Sequence, residues 1–473
     1  MSSKLLTSEK RILTKQKVKD FIDDFFYSYS YPVIMAFVTV FCYVLKMQSG
    51  GIALTFILGS YLLATKRDAT PLLPLLLFFI FLIRDMSFTG SIVFYIMVVP
   101  PAICLVIHFI KFPIKHFKVG RMFLPLCLVT VALFLGGILS PYLSEYASGL
   151  LYSIPLGPVI LIVYLYFANY IEYPEAFNLK KYFMLLLMLS GFIASITFGY
   201  YYLNLKVLKN KVFRVNEMGW GNVNVTASVL MFAIPAACYL LTKSKNILPC
   251  LVTVLFFYFV VYMTGSDGCL GISVAFLPFL AFFVYKNLQG LNKKIFNFII
   301  FLAIAGVLFG LILLTALDKF HIITDIIDKA SSGDSGRTEL YLDAWRIFKE
   351  NPLFGAGFGY HNHQFYSPVT GNGALRGYNS HSTLFQVLGS MGILGFVAYV
   401  YYYYHRYAIL CKKNTCFNQF AFFSFTLCAC YGFIDTTEFS TIPIMISLTL
   451  LILITEFDNS NPNTKFKPTI LCK

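Results

Sequence analysis

Residues 182–201 read YFMLLLMLSGFIASITFGYY, twenty positions without a charge. At about 1.5 Å rise per residue such a helix crosses the roughly 30 Å hydrocarbon core of a bilayer. A helix on a soluble protein would need a charged face over this length, and none is present. The rest of the chain agrees: 58% of its 473 residues are hydrophobic and 12% charged, with a mean hydropathy of +0.72. Length alone would suggest two or three soluble domains, but this composition overrules that reading in favour of a polytopic membrane protein.

Working outward, further apolar runs fall near 31–47, 50–65, 71–84, 90–110, 122–140, 153–170, 224–242, 247–264, 269–285, 295–315, 380–403, 418–434 and 441–456. With 182–201 they make fourteen, the short second and third being the weakest. The expected fold is all-α, an integral membrane bundle of 12–14 spans. Residues 1–315 are expected to form an N-terminal bundle with a basic head, 316–379 one large extracytoplasmic loop domain, and 380–473 the last spans and a tail. With a cytoplasmic N-terminus, the inward loops hold 25 of the 37 Lys and Arg residues, as the positive-inside rule requires. The net charge of +15 then faces anionic membrane lipid, and nucleic acid is not an expected partner.

The head carries Lys4, Lys10, Arg11, Lys15, Lys17 and Lys19 before a broken aromatic stretch. This is expected to be a retained cytoplasmic tail, not a cleavable signal. The eleven cysteines lie in apolar runs or inward loops and show no metal-like cluster beyond Cys428-Ala-Cys430, which argues against a disulfide framework.

Two segments on the outward side break the pattern. The first, LNLKVLKNKVFRVNEMGWGNVN at 203–224, places Lys206, Lys209, Lys211 and Arg214 where topology disfavours cations, so they are expected to serve a ligand. The second, RTELYLDAWRIFKENPLFGAGFG at 337–359, lies in the one long connection. Leu340, Ala344 or Trp345, Ile347 and Phe348 recur at helical spacing among charges, which predicts an amphipathic helix over 337–350. Asp334 or Ser335 is its expected cap, and Asn351-Pro352 its expected end. The bland role for such a helix is to plug a vestibule. Arg337 points further, because helix polarity disfavours a cation at an N-terminus and an anionic partner explains it better. Gly355, Gly357 and Gly359 follow no strand and precede no Gly-Lys-Ser/Thr, so they read as a tight turn and not as a phosphate loop.

Histidines 321, 361, 363 and 381 fall on the outward side. His361-Asn-His363 is weak as a metal pair. His381, in YNSHSTLFQVLGSMGILGF at 378–396, stands at the mouth of a span, where a neutral imidazole can take a proton from a hydroxyl; the alternative role is a polar helix cap.

The arrangement SGRTELYLDAW, NPLFGAGFG and NSHSTLFQVLGSMGILGF over 335–397 resembles the O-antigen ligase and polymerase superfamily of bacterial envelope proteins. Arg337, the Trp345-bearing helix, the Pro352 turn, His381, Gln386 and Gly392 stand in family order. Arg214, Gly221 and Asn224 look like the family's Arg…Gly…Asn element. One departure is TGSDGCLG at 264–271, where Asp267 stands in place of a family arginine, so that Arg376, Lys211 or Lys209 must take its part or the substrate differs.

The resemblance implies a metal-independent membrane glycosyltransferase without cofactors. It would move a glycan from a polyprenyl (undecaprenyl) diphosphate carrier to an acceptor sugar hydroxyl, as polymerase or ligase, at the outer face of the bacterial inner membrane. The acceptor is a glycan or a lipid A core, and other polysaccharide-assembly proteins are possible partners. His381 is the expected base, and Arg337 and Arg214 the expected diphosphate-binding catalytic cations. Asn224, Lys211, Arg376, Trp220 and Tyr360 are the expected substrate contacts. A carboxylate pair of glycosidase type is not evident, with Asp334 and Glu339 the nearest candidates. The competing function is a flippase of lipid-linked oligosaccharide. It would place polar groups along a central path through the bilayer, whereas here the unusual charges gather at one face.

Overall fold

The computed structural model describes residues 21–83, 90–139, 150, 153–172, 178–204, 218–316, 337–358, 380–436, 439 and 442–459. Among these there is no strand. The helices are α1 (Ser30–Val44), α2 (Gln48–Thr65), α3 (Leu72–Phe79, continued by a 3₁₀ turn Ile80–Leu82), α4 (Ile92–Lys111) and α5 (Phe123–Leu135). Next come α6 (Ile160–Tyr170, entered through the wide turn Pro155–Val159), α7 (Leu179–Asn204), α8 (Val223–Lys243), α9 (Leu248–Met263) and α10 (Asp267–Asn287). The last are α11 (Gly290–Ala316), α12 (Arg337–Glu350), α13 (Thr383–Leu410), α14 (Cys416–Tyr431) and α15 (Ile442–Asn459).

Each predicted span coincides with one of these helices, and α12 is the predicted amphipathic helix. The chain is an all-α polytopic membrane protein. Among the described residues, six helices, α2, α4, α7, α8, α10 and α13, are long and apolar enough to cross a bilayer, while others such as α1, α5 and α9 are shorter.

The central helix is α8, whose residues from Val225 to Leu241 are all buried against α7, α9, α10 and α14. At the periphery, α4 buries only His108, which leaves its Val and Ile side chains to face lipid. Asn222 caps α8, its side chain accepting from the Val225 N–H at 2.9 Å. The capping asparagine is therefore Asn222, and Asn224 lies inside the first turn.

Loop contacts sort into two ends, as alternating spans demand. At one end Arg121 N–H donates to Glu456 Oε1 at 2.7 Å, Lys118 N–H to Asn169 Oδ1 at 2.6 Å, and Asn287 Nδ2 to Gln419 Oε1 at 2.9 Å; Lys66 pairs with Asp23 there. At the other, Tyr43 donates to the Met218 carbonyl at 3.1 Å, and His381 meets Asp435 at 3.2 Å.

The helix α13 is broken. Gly392 has φ 61° and ψ −153° in its interior, a conformation essentially reserved for glycine. The turn after α12 fills the break: Ile393 N–H donates to the Pro352 carbonyl at 2.8 Å and Leu394 N–H to the Leu353 carbonyl at 3.2 Å. In return Ala356 and Gly357 donate to the carbonyls of Gly389 and Ser390 at 2.8 and 2.9 Å, and Gly137 N–H reaches the Phe354 carbonyl at 2.8 Å. Backbone freed at such a depth is tolerated only when it is satisfied within the protein. The glycines let the three strands of chain approach, for a Cβ on Gly355 would stand 2.4 Å from the Ser390 carbonyl carbon and one on Gly137 2.5 Å from Gly357 Cα. The tight turn expected here also completes α13, through the carbonyls of Pro352 and Leu353 and the N–H groups of Ala356 and Gly357.

Candidate functional site

His381 precedes α13 in the left-handed region, with φ 48°. A non-glycine residue held there costs about 1–2 kcal/mol, and such strain concentrates at functional positions. Its surroundings hold it in place. The carbonyl accepts a hydrogen bond from Tyr341 of α12 at 3.2 Å. On the ring side, Nδ1 lies 3.2 Å from Asp435 Oδ1, in the loop after α14. Tyr341 itself stacks on Phe385 with centroids 4.8 Å apart and planes 11° from parallel.

Asp435 is buried. Its Oδ1 also accepts from the Thr436 N–H at 2.7 Å, and its Oδ2 from the Tyr431 hydroxyl at 3.0 Å. Burial pushes its pKa up, but the bond from His381, the charge of that imidazole and the Thr436 and Tyr431 bonds outweigh burial and hold the carboxyl below the usual range. Behind it, Tyr431 reaches the Ser266 hydroxyl at 3.3 Å, and the Cys269 thiol bonds with Ser266, Tyr431 and Ser228. A second buried set supports the His381 backbone: Ser380 N–H and Oγ both donate to Gln386 Oε1, at 3.1 and 3.2 Å, and Gln386 Nε2 donates to Ser390 Oγ at 2.9 Å. These bonds fix the imidazole from two sides, so the site is preorganised.

Arg337 starts α12 and is half-buried. It lies near enough to Tyr341 to oppose the upward push of burial on that hydroxyl. A cation therefore stands one helical turn from the tyrosine that touches His381. Elsewhere on α12, Ala344 and Ile347 are buried, Trp345 is 43% exposed, and Arg346 pairs with Asp343 at 3.2 Å.

The structure thus links His381 and Arg337 through Tyr341. Asn224 is half-buried, its carbonyl accepting from the Ser228 hydroxyl at 2.7 Å. One turn below it, Ser228 reaches Cys269, which places Asn224 on the face of α8 directed toward the Asp435 cluster. Trp220 is buried, edge-on to Phe81 with centroids 4.8 Å apart, and is placed for packing and not for an open sugar face. Arg214, Lys211, Arg376 and Tyr360 lie outside the described residues, as do Asp334, Ser335, His321, His361 and His363. Glu339 is exposed. Asp267 is also exposed and opens α10, where a carboxylate complements the helix N-terminus. That gives the acid a local structural reason at the position where the resemblance expects arginine.

Asp435, Tyr431 and Tyr341 escaped the sequence reading. The available signal for Asp435 was an acid in YGFIDTTEFS, a short loop that the alternation of spans sends to the same end as His381.

A family model described as O-antigen ligase matches residues 251–400. That segment runs from α9 into α13 and contains Arg337, His381 and Gly392, with Arg214, Asn224 and Asp435 outside it. The match covers less than half of the chain, and over that segment it supports the O-antigen ligase and polymerase superfamily. No curated protein matches the chain.

Proposed function

We propose that this protein is a glycan-transferring membrane enzyme, moving a glycan from a polyprenyl diphosphate carrier to an acceptor sugar hydroxyl in cell-surface polysaccharide assembly, as polymerase or ligase. The observation that carries the reading is the His381–Asp435 contact under a helix that begins with Arg337, all within the end of the bundle that the charge rule turns away from the cytoplasm. Asp435 occupies Nδ1, so Nε2 is the atom that accepts the proton of the acceptor hydroxyl. The hydroxyl oxygen then bonds to the anomeric carbon as the bond from that carbon to the phosphate oxygen breaks, and the electron pair leaves with the lipid diphosphate. Arg337, and Arg214 from the preceding outer segment, neutralise the charge that grows there. The carboxylate of Asp435 stabilises the imidazolium, and one base suffices for a single inverting displacement. The bacterial inner membrane is the setting this chemistry requires, with a sugar or lipid A core as acceptor.

Complementation tests the reading. In cells lacking the gene, Arg337→Ala and Arg214→Ala at matched expression are expected to lower surface glycan at least tenfold and to accumulate glycan still joined to its carrier. Single repeats on the carrier mark a polymerase, and full chains a ligase. Normal glycan in both variants would remove the diphosphate role from these residues.

The titration of Asp435 gives a separate expectation. A carboxyl with a depressed folded pKa stabilises the protein above its unfolded value of about 3.9, and that contribution is lost as pH falls through the folded value. The carboxylate that meets His381 therefore survives mild acid. Asp435→Asn is expected to lower the rate at least tenfold, because the imidazolium formed in transfer loses its counter-charge, and to remove this acid-dependent part of the stability, because an amide does not titrate. Equal loss of stability by the native and Asp435→Asn proteins on acidification would contradict the pairing.

A further inference from the structure

A cavity of about 340 Å³ opens sideways between α13 and α14, within the size range of ligand pockets. Its walls are apolar: Val387, Phe396, Tyr399, Tyr403 and Tyr407 come from α13, Ala429 from α14 and Phe433 from the turn just after it. Its head is Thr383, whose N–H donates to the Gly432 carbonyl at 2.6 Å and whose hydroxyl reaches the Asp435 carbonyl at 3.4 Å. The head of the groove and the His381–Asp435 site thus share one stretch of backbone.

Resting on the function proposed above, we propose that this groove seats the isoprenoid chain of the lipid-linked donor along its length, and that its far half, at Tyr403 and Tyr407, makes the enzyme selective for a long carrier. From Thr383 to Tyr407 the helix rises on the order of 35 Å, slightly less for the break at Gly392. That is comparable with the whole hydrocarbon core of roughly 30 Å, whereas an acyl chain of a phospholipid reaches only to its middle. A chain that starts at the site and fills the groove to Tyr407 must therefore cross more than one leaflet. The far half has an aromatic floor: Tyr407 packs on Phe425 with centroids 4.8 Å apart, and Tyr403 on the same ring at 5.6 Å.

The test uses the purified full chain in lipid nanodiscs with two photoreactive polyprenyl diphosphates, one carrying a diazirine beside the diphosphate and one at the far end of a long chain. The near probe is expected to label peptides around Thr383 and Phe433, and the far probe peptides around Tyr403 and Tyr407. Unlabelled long-chain polyprenyl diphosphate should compete, and phosphatidylglycerol should not. Val400→Trp, which fills the middle of the groove from its lipid-facing wall, should reduce far-end labelling at least tenfold. It should also abolish the preference for a long-chain over a three-isoprene donor in transfer assays while sparing transfer from the short one. Ile110→Trp on lipid-facing α4 is the control and should change neither readout. Far-end labelling spread over α4, or equal competition by phospholipid, would overturn the proposal and assign the groove to ordinary acyl chains. Groove labelling without any transfer would leave the seat intact and count against the enzymatic reading. Transfer that ignores chain length in the unmodified protein would count against the selectivity alone.

Discussion

Replacing His381 by glycine is expected to lower glycan transfer by about 10²–10⁴-fold while leaving the melting behaviour nearly unchanged. The kinetic loss is the usual worth of a positioned general base. The thermal neutrality follows from φ 48° at this position. Glycine relieves about 1–2 kcal/mol of left-handed strain, which offsets the lost bond to Asp435 at 3.2 Å. Asp435 keeps its bonds from Thr436 and Tyr431. A structural histidine would give the opposite pattern, with stability falling and rate following it. Transfer assayed alongside thermal unfolding in detergent separates the two, and added imidazole should restore part of the rate only if the missing group is a base. Retention of more than a tenth of the activity in a folded His381→Gly protein would end the assignment.

Gly392→Ala is expected to cost on the order of 3–5 kcal/mol and to release α12 from its seat. The new Cβ would stand 2.6 Å from the backbone of Pro352 and Leu353, which cannot swing aside as a side chain can. The ψ of −153° adds strain of about 1–3 kcal/mol for any other residue. Separation of the two chains would also strand the N–H groups of Ile393 and Leu394, and an unsatisfied group at membrane depth costs several kcal/mol. Gly199→Ala is the matched control, since a Cβ there meets nothing within 4 Å and alanine favours a helix by up to about 1 kcal/mol. The expected result is a lower melting temperature and new protease cleavage near 352–357 for Gly392→Ala, with neither change in the control. Equal melting of both variants would show that the break tolerates a side chain.

Hydropathy made the bundle legible because spans depend on local composition: Leu179–Asn204 and Val223–Lys243 lie almost where the apolar runs place them. The amphipathic helix was legible for the same reason, through the spacing of Ala344 and Ile347 among charges. His381 and Arg337 stood out as charges or titratable groups out of keeping with their surroundings. Asp435 did not, for its meaning comes from a contact across 54 positions, and no local pattern encodes a partner at that distance. The break at Gly392 was hidden likewise, since a glycine in an apolar helix looks the same whether or not another backbone fills the space beside it.

The filled break in α13 also bears on how the chain is made. Residues 352–357 leave the ribosome before Thr383–Leu410, so the segment that supplies carbonyls to Ile393 and Leu394 has already been made when the broken helix is released into lipid. The order of synthesis delivers the partner first. A chain permuted so that 337–358 follows α13 would present the same contacts on paper, yet would have to hold an unsatisfied segment in the bilayer until the turn arrived.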